Sequence, residues 1–573
     1  MPESAMPVLN VILSLVLTAT PASSLQAQMD AHFTAHVSPD SPGFAVGLVQ
    51  DGVLVAEGYY GLASLEHGVP VQADTRFYIG SISKQFTAAL ILKRVLEGAL
   101  SLSDPVRTYL PELHPVYDAV TVADCLYHTG GIREYTSLML IRGDDRSLQD
   151  VMGQADALAL IARQSTLDFE PGSQQRYSSS GYVVLAAILE RLEGGTLAQI
   201  ADAEIFTPLG MASTQFDTDS SALIPHRADS YRLQAGGWSR WIKSFDVVGD
   251  GGVLTTVRDM ARWDAELRAP TVFTPAWANH MRQAGRLRDG TPLSYGGGLQ
   301  FGAFHGQGVE SHGGGMGGFI ADQIRFPDLG LSLYVFANRN DSQAFQGWRF
   351  AETLAPAAPS SHAAPALQGQ LAAAFDGASD WVGAYFSDSI NNRRYLRLNA
   401  EGGLDLHNGG DEFVTSLLSS GPQTLETPDG KTLIHLHTDG LARAFTLDAG
   451  HSRYTARRYS DAPPEHVDGL ANFEGWYCSP ELEAKVQYRI RDGVFEQRYA
   501  QSQPEALFPE PENPLAGWNG DRRVWTGVTM VRFDAEPGRP AHQVVIGDLR
   551  VSGVVFERCA GPGDDFVFSA QGL

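Results

Sequence analysis

The chain has 573 residues, 43% of them hydrophobic and 19% charged, which is ordinary globular composition, and its length calls for more than one core. Its formal net charge of −24 excludes a surface that attracts phosphate backbones or anionic membranes, so no nucleic-acid partner is expected. Three cysteines are too few for a disulfide scaffold: Cys478 and Cys559 could pair in an oxidising compartment, and Cys125 reads as a small buried hydrophobe.

In chain order, the first feature is an apolar run, VLNVILSLVL from Val8 to Leu17, too short to span a bilayer and followed by small residues up to Ala27. It reads as a signal peptide over residues 1–27, cleaved after Ala27, which implies an exported protein, periplasmic or extracellular. The n-region lacks Lys and Arg, and the alternative is a disordered or buried N-terminal helix. No other segment has the length and apolarity of a transmembrane helix. Next, two apolar runs within 41–60 flank Asp51-Gly52, a pair suited to the tight turn of a β-hairpin. A helix is predicted over Ser81–Glu97, stopped by Gly98, and another over Tyr182–Leu192. A second hairpin joins Phe319–Phe326 to Leu331–Ala337 through Pro327-Asp328-Leu329-Gly330. Strands at both ends with helices between predict an α+β region, an antiparallel sheet covered by helices, over residues 28–353.

Composition then changes. An Ala/Pro/Ser-rich stretch over 354–375 reads as a linker, and short alternating segments with frequent turns follow. Trp381-Val-Gly383-Ala-Tyr385-Phe-Ser387 recurs 92 residues later as Phe473-Glu-Gly475-Trp-Tyr477-Cys-Ser479, and Tyr395-Leu-Arg-Leu398 is matched to Tyr488-Arg-Ile490. Two antiparallel β-barrels of about eight strands are expected, at 376–463 and 464–573. The alternative is one large β domain with a chance resemblance.

Three elements carry chemistry. Ser81 and Lys84, three residues apart at a helix start preceded by Gly80, share a face close enough for proton transfer, and the helix N-terminus stabilises an anion there. Tyr177-Ser178-Ser179 offers a phenol that could relay a proton to a leaving group; the plain alternative for Tyr177 is a half-buried loop tyrosine. His312-Gly313-Gly314-Gly315 leads into the Phe319 strand. Its glycines allow a substrate backbone to lie alongside, and Ser81 N–H with Gly315 N–H could form an oxyanion hole. The plain alternative for His312 is a surface histidine in a glycine-rich turn. Gly313, Gly315 and Gly318 also match GxGxxG, but a strand follows instead of a helix, so nucleotide binding is rejected. No Cys/His spacing suits zinc, there is no HExxH, and no cofactor is implied. The absence of GxSxG disfavours an α/β-hydrolase.

In this order the three motifs resemble those of the serine β-lactamase/penicillin-binding-protein-like hydrolases, which run Ser-x-x-Lys, Tyr-x-Asn, then Lys/His-x-Gly. LSLSDPVRTYLP at 100–111, His128-Thr-Gly-Gly-Ile132, GDGGVLTTVRD at 249–259 and YGGGL at 295–299 also look familial, and the resemblance covers about 40–340. It implies a sheet-plus-helical catalytic domain and an acyl-enzyme on Ser81, with Lys84 and Tyr177 assisting and Ser179, His312 and Gly314 facing substrate. His in the third motif and two C-terminal barrels look most like the D-stereospecific aminopeptidases. That likeness implies a small peptide, amide or ester substrate and a last-barrel loop reaching the site, for which 500–520 and 534–539 are candidates. Ser179 stands where the family has Asn, and its shorter hydroxyl reaches less far. A carboxylesterase or a D,D-peptidase/β-lactamase-like enzyme would use the same site; a catalytically weak binding protein retaining the fold is the alternative of a different class. Oligomeric state is open.

Overall fold

The computed structural model describes residues 22–142, 152–354 apart from 235–236 and 242–244, and, between 377 and 559, the strands with short flanking pieces. The apolar run at 8–17 and most of the linker lie outside the described residues. The main sheet of the first region has the order β3-β4-β5-β6-β1-β2, with β1 Phe44–Gln50, β2 Val53–Tyr60, β3 Gln300–Phe304, β4 Gln307–Met316, β5 Phe319–Phe326 and β6 Leu331–Ala337. All neighbours are antiparallel, and β1 closes on β6 with Phe44 opposite Ala337. Both hairpins form where the turn residues stand. Asp51 and Gly52 take φ of 52° and 80°, the doubly left-handed turn whose twist matches that of the flanking strands. Pro327–Leu329 forms a 3₁₀ turn ended by Gly330 at φ 64°.

Alternation along β1 divides the sheet between two cores. Phe44, Val46 and Leu48 pack with Met29 and Phe33 of helix α1 (Ala22–Thr34), which runs across Ala27-Gln28. Ala45 and Val49 face the larger helical core, which contains α2 (Lys84–Leu96), α4 (Ser179–Glu193) and α5 (Val257–Arg268); a short helix, α3 (Tyr135–Arg142), joins it. Helix α2 is shorter than the sequence predicted, because Gly80–Ser83 is a 3₁₀ turn and the α-helix starts at Lys84. Helix α4 is longer: it starts at Ser179 and ends at Gly194 in the left-handed conformation. Ser179 is therefore a first-turn helical residue instead of part of a loop before the helix.

Eight antiparallel strands between Gly383 and Tyr459 close into a barrel. The last region is a nine-stranded curled sheet whose two edge strands, Glu505–Ala506 and Phe508–Pro509, are consecutive in the chain, so it bends round onto one segment. The 92-residue repeat is structural. In β7 (Gly383–Ser387) the Tyr385 hydroxyl donates to the Trp381 carbonyl at 2.8 Å; in β8 (Gly475–Ser479) Tyr477 donates to the Phe473 carbonyl at 3.0 Å. Gly383 and Gly475 share an unusual φ, 153° and 147°. Strand pairing corrects one correspondence: Gly383 faces Leu396 and Gly475 faces Tyr488, so Tyr488 matches Leu396 and not Tyr395. Cys478 and Cys559 are disulfide-bonded, joining β8 to the last strand, and Cys125 is free and buried. No helix among the described residues is long and apolar enough to cross a membrane.

Candidate active site

The sequence Gly80-Ser81-Ile82-Ser83 forms its 3₁₀ turn directly against β4. A Cβ on Gly80, whose φ is 51°, would lie 2.5 Å from the Gly315 nitrogen, and one on Gly314 would lie 1.9 Å from the Ile79 carbonyl oxygen. Only glycine at both positions permits this backbone-on-backbone contact, which sets Ser81 beside the Gly-rich strand. Strand β3 pairs with β4 only as far as Ser311, so Gly313–Met316 run beyond it.

One helical turn on, the buried Lys84 Nζ lies within hydrogen-bond distance of three oxygens: Ser81 Oγ at 3.2 Å, Ser179 Oγ at 3.3 Å and the Asp250 carbonyl oxygen at 2.7 Å. Its nitrogen also lies 4.8 Å from the Tyr177 ring centre and 5.5 Å from that of Tyr182. The first two predicted motifs thus meet at one lysine, while the third, through Gly314 and Gly315, lies against the Ser81 turn.

His312 is 4% exposed, which rules out the surface-turn alternative. Its Nδ1 lies 2.6 Å from the Gly313 carbonyl oxygen, an acceptor only, so Nδ1 carries the proton and Nε2 accepts from the Tyr295 hydroxyl at 3.0 Å. Burial, then the Lys84 charge, pushes its pKa down to about 4, so the ring is neutral. With both nitrogens engaged inside the protein, His312 forms a wall of the site and anchors the strand behind Gly314.

Several participants had no role assigned from the sequence. Glu134 accepts the Ser179 backbone N–H at 2.5 Å and the Thr136 hydroxyl at 3.0 Å. Asp250 takes the Tyr135 hydroxyl at 3.1 Å, and burial raises its carboxyl pKa despite the nearby Lys84 charge. The His128 ring packs at a tilt against that of Tyr177, centres 4.3 Å apart, while His128 holds a φ of 61°, a backbone cost that persists only where the surroundings enforce it. These residues sit in or beside stretches already singled out (128–132, 249–259, 295–299), which was the signal available. The loop candidates at 500–520 and 534–539 fall almost wholly outside the described residues.

A family model described as Beta-lactamase matches residues 26–355. The chain belongs to the beta-lactamase family. As a serine hydrolase of that family, it is 29% identical over 463 residues to a D-aminopeptidase of Cereibacter sphaeroides, covering 79% of this chain and 82% of that one. A D-aminopeptidase of Brucella anthropi is 30% identical over 313 residues, 53% of this chain and 58% of the relative. Among solved structures, the octameric penicillin-binding protein homologue from Pyrococcus abyssi aligns over 94% of this chain and all of its own, with a TM-score of 0.51 and 17% identity, a likeness of fold. The beta-lactamase-like fold expected from the motifs is therefore present, with a β-rich C-terminal half in which one barrel closes and one sheet curls.

Proposed function

We propose that this beta-lactamase-family hydrolase is a D-aminopeptidase-type enzyme acting on small peptides or amides through an acyl-enzyme on Ser81. Ser81 Oγ attacks the substrate carbonyl carbon while its proton passes to Lys84 Nζ, which accepts it as the neutral amine with its two N–H groups on Ser179 Oγ and the Asp250 carbonyl oxygen. The developing oxyanion takes hydrogen bonds from Ser81 N–H and Gly315 N–H; one such donor contributes about 3 kcal/mol. The C–N bond breaks as the leaving amine receives a proton through Tyr177, and water then hydrolyses the Ser81 ester. The observation that carries this chemistry is the 3.2 Å contact between Lys84 Nζ and Ser81 Oγ. Similarity to D-aminopeptidases over 79% of the chain supports the substrate class.

A second reading, ester hydrolysis, is favoured by Ser179. Its short hydroxyl contacts Lys84 but offers no amide N–H to a peptide carbonyl, and esters need less such help. Labelling by a serine-reactive fluorophosphonate, parent against Ser81→Ala, tests the nucleophile; label that survives the substitution sinks it. D- and L-aminoacyl p-nitroanilides beside short-chain p-nitrophenyl esters then choose the substrate. Turnover of esters with none of the amides would reject the peptidase.

We also propose export. The apolar run at 8–17 and the Cys478–Cys559 disulfide, a bond that persists in oxidising compartments, support it. Cell fractionation showing a cytosolic protein with both thiols free would count against it.

A further inference from the structure

Two of the three acceptors around Lys84 are held by one tripeptide. Glu134 binds the Ser179 N–H, and Tyr135 donates to the Asp250 side chain. The same backbone also grips the start of α4: the Ser180 hydroxyl donates to the Arg133 carbonyl at 2.7 Å and accepts the Tyr135 N–H at 2.8 Å. Whatever fixes residues 133–135 therefore fixes the lysine's surroundings.

What fixes Arg133 comes from the C-terminal sheet. Its guanidinium donates to Glu481 Oε2 at 3.0 Å and to the Gly553 carbonyl at 2.8 Å, as well as to Gln164 Oε1 at 3.2 Å. Asp168 is 3.8 Å away. The other Glu481 oxygen takes the Ser165 N–H at 3.2 Å and the Ser165 hydroxyl. Glu481 lies in the turn between β8 and the strand Ala484–Arg491, Gly553 on the strand Val551–Cys559, and the Cys478–Cys559 disulfide joins β8, just before that turn, to the strand carrying Gly553. Arg133 is only 7% exposed, and its charge needs such partners, since an uncompensated buried charge is strongly destabilising.

We infer that Arg133 is a positioning residue through which the C-terminal sheet, by way of Glu481 and Gly553, sets the Ser179 and Asp250 acceptors of Lys84. The C-terminal sheet then completes the site from behind instead of merely flanking it. This rests on Ser81 and Lys84 being the reacting pair.

The test uses the full chain, with Glu481→Ala and Glu481→Gln, and Glu483→Ala as the control. Glu483 makes a 3.5 Å pair with Arg163 between the same two regions, but an exposed one. Glu481→Ala is expected to slow fluorophosphonate acylation of Ser81 and to lower kcat by about tenfold, with KM within about twofold, because small misplacements of reacting groups cost rate more than binding. Glu481→Gln, which keeps an acceptor, restores most of the rate, and Glu483→Ala matches the parent. If Glu481→Ala does not fold, Arg133→Lys, which keeps the charge without the fork, is expected to show the same loss. Parent-like rates in Glu481→Ala or Arg133→Lys, or an equal loss in Glu483→Ala, overturn the inference while the Ser81 assignment stands. A parent chain that takes no label on Ser81 overturns both.

Discussion

The Lys84 ammonium nitrogen stands 4.8 Å from the centre of the Tyr177 ring, so the tyrosine meets the lysine with its face. The ring quadrupole attracts the charge independently of the hydroxyl, and His128 backs the ring from 4.3 Å. The two contributions are separable. Tyr177→Phe keeps the face and loses the proton relay, so kcat on an amide should fall by about 10²–10⁴-fold with the melting temperature near the parent's. Tyr177→Ala should lower both. Amide kinetics and thermal melts of the two variants check this.

Ser179 begins α4 with its N–H on Glu134 and its hydroxyl 3.3 Å from Lys84. Ser179→Asn adds a carboxamide that can accept from the lysine and donate to a substrate carbonyl. Amide turnover is expected to rise severalfold relative to ester turnover, on the order of one added hydrogen bond. An unchanged amide-to-ester ratio would remove this position from substrate recognition.

Gly314→Ala places a methyl carbon 1.9 Å from the Ile79 carbonyl oxygen. Backbone must move, separating β4 from the Ser81 turn, and Ser81 labelling should drop by about 10²-fold or more. Normal labelling in this variant would show that the strand does not position the oxyanion donors.

Acid stability offers an independent check on His312. Unfolded, the imidazole takes its proton near 6.5; folded, near 4. As pH falls between those values the unfolded state gains the proton first, so the fold loses stability, by about 3 kcal/mol below both. Asp322, opposite Gly313 on β5, runs the other way: burial lifts its pKa from 3.8 to about 6, so its contribution is full below 3.8 and is lost as pH rises through 6. The two offset each other in the parent. The difference between the parent and His312→Gln denaturation curves, measured from pH 7 to 4, isolates the histidine.

Replacing Cys478 and Cys559 by serine opens a loop with a sequence separation of 81, which costs about 4.5 kcal/mol in the chain-entropy account. A lower melting temperature in the double variant, reproduced by reducing the parent, is the expected result.

Much of this was legible because the signals are local. Asp51-Gly52 and Pro327–Gly330 declare their hairpins through backbone preferences of a few residues, and the three-residue spacing of Ser81 and Lys84 suffices to put them on one face. Glu134 and Asp250 are different. They lie 50 and 166 residues from Lys84, and an acid in a loop reads as solvated until folding buries it. The start of α4 was misplaced for a related reason: serines are weak helix formers that favour caps, and Ser179 is held in the first turn by a carboxylate 45 residues away. The closed barrel and the curled sheet were visible as a repeat, but register is set by pairing, which is why Tyr488 aligned with the wrong residue.

The contact of Gly80 and Gly314 with facing backbone divides this site for anyone redesigning it. A library that varies these glycines would explore misfolded loops, since no side chain there can yield to make room. Variation directed at Ser179, Tyr295 or His128 changes the walls around a fixed nucleophile. The freedom to acquire new substrates resides in those side chains, with the backbone serving as an invariant chassis.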